Sequence, residues 1–256
     1  SLGKSLEKLS SGFRINRAAD DAAGLVISQN LRAQTSGLRQ ATRNAQDGIS
    51  VVQTAEGALN EVHTILNRMR DLAVQSANTG ANDPAARTAA QAEITAMTAE
   101  IGRISTSTSF GGTLLLSGTY GGAVPANAKQ FQIGANATDV LDVTITAVDA
   151  TTLGINTSSV VTAADAATAI TSFSAAIATV STQRGNLGAL QNRFESMINN
   201  LQVTTENLVA SESRIRDTDM AAEMTNFTKN QILSQAGTAM LAQANQVPQS
   251  ILSLLR

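Results

Sequence analysis

The stretch LSSGFRINRAADDAAGLVIS concentrates charged side chains in a chain that carries few of them. Asp20 and Asp21 are adjacent, and Arg14 and Arg17 lie close to them in the sequence. Carboxylates beside arginines can form an acid–base pair, an ion site or the capped start of a helix. Neighbouring residues on a helix point about 100° apart, so the two carboxylates would not converge on one substrate. The pattern favours a helix that begins at Asn16, whose side chain caps the first turn.

The other residues that could take part in catalysis or ligand binding lack the partners that they would need. His63 is the single histidine and there is no cysteine, whereas zinc requires several such ligands. Gly3, Lys4 and Ser5 resemble the end of a phosphate-binding loop, but the loop's first glycine and preceding strand are not visible. Ser5 and Lys8 match a Ser-x-x-Lys pattern, which is a common coincidence. The sequence therefore predicts no catalytic, cofactor-binding or metal-binding residue, and a protein that is not an enzyme.

Composition excludes several further classes of function. Charged residues make up 15% of the chain and the net charge is −2, without a basic block. Nucleic-acid binding requires clustered Lys and Arg, so we expect no nucleic-acid partner. Without cysteine there are no disulfides. No run approaches the ~18 uninterrupted apolar residues of a membrane span, and no cleavable secretion signal is visible, so we expect no membrane insertion.

A heptad pattern predicts a long helix that starts near Asn16 and ends at the Gly- and Pro-containing segment 78–84. Pro84 then opens a second helix that runs to about Ile104. The first positions of the heptads are Leu38, Ala45, Val52, Leu59, Leu66 and Ala73, and the interleaved positions are Ala41, Gly48, Ala55, Val62, Met69 and Ser76.

The middle of the chain, about 105–160, has a different character. A Ser/Thr/Gly-rich loop precedes two alternating segments, 130–133 and 141–147, that predict a β-hairpin. A second heptad helix starts near Ala163, with Phe173, Val180, Leu187, Phe194, Leu201, Leu208 and Ile215 seven residues apart and with Leu190 and Met197 in the second seam position. Each heptad helix needs a partner, so we predict a mainly α fold: an elongated antiparallel helical bundle or coiled coil with a small β-hairpin region.

The last predicted helix, from Met220 to Arg256, carries almost no charge. Its polar face is made of Ser, Thr, Gln and Asn, which favours burial against copies of the same chain; an amphipathic membrane helix is the alternative. A self-assembling structural subunit and a secreted helical binding module both remain open, and concentration-dependent long polymers would distinguish them. The apolar positions are Met224, Phe227, Leu233, Met240, Leu241, Ala244, Val247, Ile251 and Leu254.

Four long motifs in order resemble the bacterial flagellin family. The resemblance covers about residues 1–112 and 184–256, with a looser fit between them. The motifs are LEKLSSGFRINRAADDAAGLVIS (Leu6–Ser28), TRNAQDGISVVQTAEGALNEV (Thr42–Val62), RMRDLAVQSAN (Arg68–Asn78) and SQAGTAMLAQANQVPQSILSLLR (Ser234–Arg256).

The resemblance implies a subunit of the flagellar filament, with a short middle that leaves no room for large outer domains. Residues 1–15 would be the end of an N-terminal core helix plus a connecting spoke, 16–217 a rod domain, and 218–256 a C-terminal core helix. Arg14, Asn16, Asp20 and Asp21 would lie at the spoke and helix cap. Flagellins have a further N-terminal core segment before the position of Ser1, so we expect the chain as given to polymerise poorly.

The resemblance also implies partners and a location. The protein would leave the cell through the flagellar type III secretion channel and lie outside the cell in the flagellum, without cofactors. An export chaperone would hold the C-terminal helix, and filament cap and hook–filament junction proteins would contact the polymer. Toll-like receptor 5 of hosts would recognise the rod domain at Arg68, Leu72 and Glu93.

Overall fold

The computed structural model describes residues 2–80, 83–121 and 129–254, with side chains as far as residue 245. Helices dominate the described residues, which confirms the mainly α class. The helices are α1 (Leu2–Ser11), α2 (Ala22–Ala77), α3 (Pro84–Ser107), α4 (Ala163–Arg216) and α5 (Met220–Leu254). The strands are β1 (Ser109–Phe110), β2 (Thr113–Leu114), β3 (Lys129–Gln132) and β4 (Val140–Val143).

The described chain divides into two compact units. The first consists of the chain up to Ser36 together with the chain from Val203, and the second is Gly37–Gln202. These limits do not coincide with the predicted boundaries at residues 15/16 and 217/218, and that division into core and rod stays a prediction.

The heptad positions of α2 form the core of the second unit. All twelve of them, from Leu38 to Ser76, are buried, as the 3,4 spacing predicts. In α4, Leu187 and Phe194 have no exposed surface, and Leu201 is buried as well. Gly48 of α2 lies against Phe194 of α4, whereas Glu56, further along α2, pairs at 3.6 Å with Arg184, which comes earlier in α4, so the two helices run antiparallel here. Leu59, Leu66 and Met69 thus lie in the core as predicted, while a coiled-coil geometry of the seam stays a prediction.

The ring of Phe194 occupies the closest approach between α2 and α4. A Cβ atom added at Gly48 would lie 2.6 Å from its Cζ atom, so only glycine fits at that position of α2. On another side, the Phe131 ring meets the Phe194 ring edge-on, with centroids 5.6 Å apart. Such edge-to-face pairs are favourable beyond the area that they bury. Phe194 therefore joins both long helices and the hairpin in one core.

Strands β3 and β4 form the predicted hairpin, with Phe131 opposite Leu141 in an antiparallel register. The prediction that its second strand continues to Ala147 is wrong, because β4 ends at Val143. Beyond that point the chain pairs with the preceding loop instead. The amide of Ile145 donates to the carbonyl of Tyr120 at 2.9 Å, and other backbone bonds of this loop continue the pairing.

A second hairpin, β1–β2, lies in the segment that the sequence predicts to be a loop. Gly111 and Gly112 form its turn with φ angles of +56° and +80°, which glycine adopts without strain. Two glycines between short alternating segments are a hairpin signal, but two-residue strands are too short for periodicity to reveal.

Helix α3 begins as predicted at Pro84, and the Asp83 carboxylate accepts the amide of Ala86 at 2.7 Å.

Among the described helices, α4 is the one whose length and composition would allow it to cross a membrane, with a mean hydropathy of 1.3 in its most apolar window. The averaged hydropathy thus selects α4 although its sequence has no uninterrupted apolar run of the ~18 residues that a membrane span needs. Its side chains Phe173 and Val180 are fully buried in the core of the second unit.

Candidate assembly surface and its connector

The segments that follow α1 and α4 pair with each other inside the first unit. The amide of Arg14 donates to the carbonyl of Arg216 at 2.6 Å, and the amide of Thr218 donates to the carbonyl of Gly12 at 3.0 Å. Phe13 and Asp217 form an isolated antiparallel bridge between these two contacts. Gly12 has a φ of +74°, which ends α1 and turns the chain into the paired segment.

Two arginines hold this connector together. The Arg216 guanidinium lies over the Phe13 ring, 4.4 Å from its centroid, which is a cation–π contact. The Arg14 side chain donates from Nη2 to the carbonyl of Ile215 at 2.7 Å. Both guanidinium groups are thus engaged in joining the two segments, and the predicted role of Arg14 at a spoke stays a prediction.

The prediction that Asn16 caps the first long helix is wrong. Helix α2 begins at Ala22, where the Asp21 carboxylate accepts the amide of Gly24 at 2.8 Å. The Asn16 side chain instead donates to the hydroxyl of Ser11 at 2.8 Å. The helix starts later because the Asp20 carboxylate accepts the amides of Asn16 and Arg17 and holds a separate turn there.

Asp20 is an ionised structural acceptor. The backbone hydrogen bond from Arg17 is the main reason that its pKa lies below the usual value, and the bond from Asn16 and the nearby Lys4 lower it further, whereas desolvation opposes them. The Lys4 ammonium lies 3.6 Å from the carboxylate. A lowered pKa keeps the carboxylate charged at neutral pH and removes it as a general acid.

Gly24 lies at a close approach between the start of α2 and its surroundings. A Cβ atom there would lie 2.4 Å from Oδ2 of Asp21 and 2.7 Å from Cδ1 of Ile15. Ile15 is buried and packs beneath the start of α2. The capping carboxylate and the buried Ile15 side chain therefore both require a residue without a side chain at this position.

Helix α5 packs against α1 over its first turns. Lys8 of α1 lies 3.9 Å from the carboxylate of Glu223, and the side chain of Phe227 is half-buried. Beyond these first turns, every residue of 231–245 is exposed. This part of α5 therefore has no packing partner among the residues that the structure describes.

Large apolar side chains cover this exposed part of α5. Their exposed fractions are 50% for Met224, 59% for Ile232 and Leu233, 70% for Met240 and 65% for Leu241. We call these five residues the α5 surface. Sequence reasoning missed Ile232, although its position beside Leu233 was a visible signal. The side chains of Val247, Ile251 and Leu254, which the sequence also assigns to this surface, lie outside the described residues.

The α5 surface is not confined to one side of the helix. Met224 and Leu233 are separated by about two and a half turns, so they project from opposite sides. Residues 231–245 contain no charged side chain. Large apolar side chains on more than one side of a helix are normally buried, whereas α5 exposes them in the isolated chain.

The three residues predicted for receptor recognition do not share one environment. The Arg68 guanidinium and the Glu93 carboxylate lie 2.9 Å apart on the surface, and this hydrogen bond is the main cause that raises the pKa of Arg68. Leu72 is buried in the core of the second unit. Its side chain is therefore unavailable for direct contact, because it fills a packing position of α2.

No arrangement suited to catalysis occurs among the residues that the structure describes. They contain no group of three or more His, Asp or Glu side chains that could hold a metal ion. His63 is half-buried on α2, and its Nδ1 atom has no hydrogen-bond partner. An isolated imidazole without a nucleophile or an orienting carboxylate does not form a catalytic set.

Comparison with known proteins gives two matching family models. The bacterial flagellin N-terminal helical region matches residues 1–121, and the bacterial flagellin C-terminal helical region matches residues 170–255. The chain is 54% identical to a flagellin of Bacillus subtilis strain 168, over 99% of this chain and 92% of the relative. It is 44% identical to flagellin FlaB1 of Treponema pallidum strain Nichols, over 100% of this chain and 92% of the relative.

Solved structures agree with these matches. A crystal structure of Bacillus cereus flagellin superposes with a TM-score of 0.52 at 31% identity, over 62% of this chain and 88% of the other. A putative flagellar hook-associated protein from Vibrio parahaemolyticus gives a TM-score of 0.61 at 16% identity, over 77% of this chain and 100% of the other. The second likeness concerns the fold alone.

Proposed function

The chain belongs to the bacterial flagellin family and is a structural subunit of the flagellar filament, and from this premise we propose that the α5 surface is where copies of the chain contact one another. Flagellins are structural proteins and not enzymes. The subunit is a short form without large outer domains, and helices make up most of its described residues, so we expect its helices to supply most of the polymer contacts.

One observation carries this proposal: the apolar side chains of α5 are exposed on opposite sides of a helix that carries no charge over residues 231–245. Burying one such side chain completely contributes about 1.5–3 kcal/mol. Contacts on one side alone would leave the other side in water. Copies of α5 packed around a common axis would cover all sides at once, and residues 231–245 would bring no charge that needs a partner.

Hydrogen exchange of the native protein tests the proposal. Amides of residues 231–245 should exchange at least about a hundredfold more slowly in filaments than in monomers, because burial suppresses local opening of the helix. Amides of Leu59–Met69, which lie in the core of the second unit, serve as the control and should be protected in both states. Equal exchange of residues 231–245 in monomers and filaments would contradict the proposal.

The same surface accounts for the other partners that the family resemblance suggests. An exposed apolar surface promotes aggregation before assembly, so an export chaperone binds α5 in the cytoplasm until the chain enters the type III secretion channel. Once the subunit is outside the cell, the two ends of the polymer leave α5 surfaces uncovered. The filament cap and the hook–filament junction proteins cover them there.

A second proposed role is recognition by Toll-like receptor 5, and it rests on the Arg68–Glu93 pair. The pair is exposed on neighbouring helices of the second unit and offers a charged guanidinium to a partner. Arginine is enriched among the residues that dominate binding energy at interfaces. Leu72 lies buried in the same unit, and it contributes to recognition only by supporting the backbone of α2.

A receptor reporter assay with matched arginine variants tests this role. Arg68→Ala should reduce the potency of the monomer at least about tenfold, which is 1.4 kcal/mol of binding free energy. Arg103→Ala is the control, because Arg103 is equally exposed and pairs with Glu100 on α3. An unchanged response to Arg68→Ala, or an equal loss in both variants, would count against recognition at this pair.

A further inference from the structure

The methionines of the chain fall into two groups. Met69 is fully buried, and Met97 and Met197 are partly buried against the same core. Met220, Met224 and Met240 belong to α5, and each exposes about half of its surface or more. The chain has six methionines in total, so every methionine outside the core of the second unit lies on the helix that we propose for assembly.

We propose that Met220, Met224 and Met240 form an oxidation site for hydrogen peroxide, and that their conversion to methionine sulfoxide prevents a monomer from joining the filament. The proposal rests on the proposed function of the α5 surface. It adds that Met224 and Met240 of this surface, together with Met220 at the first residue of α5, can be oxidised before assembly and become inaccessible afterwards.

The reaction is a two-electron oxygen transfer. The thioether sulfur attacks one oxygen of hydrogen peroxide, the S–O bond forms and the O–O bond breaks. The departing oxygen keeps its own proton, takes up the proton of the transferred oxygen and leaves as water, so the sulfur is oxidised and the peroxide is reduced. The reaction needs access to the sulfur, which α5 provides in the isolated chain and which the core withholds from Met69.

The product changes the character of the surface. A sulfoxide is polar and chiral, and it disrupts apolar interfaces that contain methionine. Met224 and Met240 lie on different sides of α5, because about four and a half turns separate them. Sulfoxides would therefore appear on more than one side of the helix, and no single packing direction would avoid them. Neighbouring Ile232, Leu233 and Leu241 have similar exposure but no sulfur to oxidise.

The test uses monomers obtained by heating filaments sheared from cells. Monomers are treated with dilute hydrogen peroxide, quenched and mapped by peptide mass spectrometry, and their elongation of filament seeds is then measured. The matched variant carries Met220→Leu, Met224→Leu and Met240→Leu, which preserve the apolar surface and remove the sulfur. Mock-treated monomers of both proteins report on assembly itself.

We expect Met220, Met224 and Met240 to oxidise at least about tenfold faster than Met69, since exposure controls the reaction. Treated native monomers should need at least about tenfold more protein to elongate seeds, whereas the treated leucine variant should elongate as its mock-treated form does. Comparable oxidation of Met69, or normal elongation by monomers with three confirmed sulfoxides, would overturn the proposal. Failure of the hydrogen-exchange test would count against the assembly role of α5, whereas the oxidation rates are measured independently of it.

Discussion

Phe194→Ala should lower the free energy of unfolding of the second unit by about 3–5 kcal/mol, the cost that is usual for truncating a buried aromatic side chain. The ring has no exposed surface and contacts the Gly48 position of α2 and the Phe131 ring of β3. Its removal opens a cavity where three elements meet. Urea denaturation of monomers, followed by far-ultraviolet circular dichroism, measures the change.

Two further variants control for this interpretation. Phe110→Ala removes the same side chain from an exposed position of β1 and should cost less than about 1 kcal/mol. Gly48→Ala should destabilise the native protein, because its Cβ atom meets the Phe194 ring. In the Phe194→Ala background the same change should be neutral or stabilising by about 1 kcal/mol, since alanine favours helices over glycine. Additive effects in this cycle would contradict the contact.

The long helices of the second unit were predictable because their signal repeats. Each heptad of α2 places two small or apolar residues on one side, and all twelve of these heptad positions from Leu38 to Ser76 are buried as the pattern requires. The start of α3 was equally clear, because Asp83 and Pro84 combine a cap with a residue that suits the first turn. In these segments the hydrophobic periodicity and the helix-end signals predict the same helices. The conformation that the local sequence favours is therefore also the one that the packing of the core requires.

The start of α2 was not predictable from the sequence, because three potential caps follow one another within a few residues. Asn16, Asp20 and Asp21 can each accept a backbone amide, and propensity alone does not rank them. The backbone pairing of Arg14 with Arg216 holds the chain just before Asn16 in an extended conformation. The helix therefore begins later in the sequence, with Asp21 as its cap. Such a contact joins segments that are about two hundred residues apart in the sequence. No pattern in the sequence around Asn16 therefore reveals it.

At the candidate site, too, the local sequence predicts some features, whereas others depend on contacts between residues that are distant in the sequence. The low charge of α5 is a property of the sequence, and four of the positions that it indicated, Met224, Leu233, Met240 and Leu241, are exposed. Their role in assembly stays a prediction. Burial of Leu72 depends on the neighbours of α2 in space. A motif match gives residue identity and position, but it does not distinguish a surface side chain from one that packs inside.

Leu233→Asp should abolish filament formation while leaving the monomer folded. The side chain is 59% exposed in the isolated chain, so a carboxylate at this position is solvated and costs little before assembly. In the proposed polymer it would be enclosed among apolar side chains of other copies. The penalty for burying an unpaired ion is several kcal/mol, and ~3 kcal/mol raises the protein concentration needed for polymerisation about a hundredfold.

Expression of the native protein in a bacterium that lacks its own flagellin measures this effect, with filaments counted by electron microscopy. Leu233→Met is the matched control, because it keeps an apolar side chain of similar volume and should support normal filaments. Circular dichroism of the purified Leu233→Asp monomer should match that of the unchanged protein, which separates failed assembly from failed folding. Filaments of normal number and length from Leu233→Asp would show that α5 meets solvent in the polymer, and assembly would then have to depend on contacts made by the second unit.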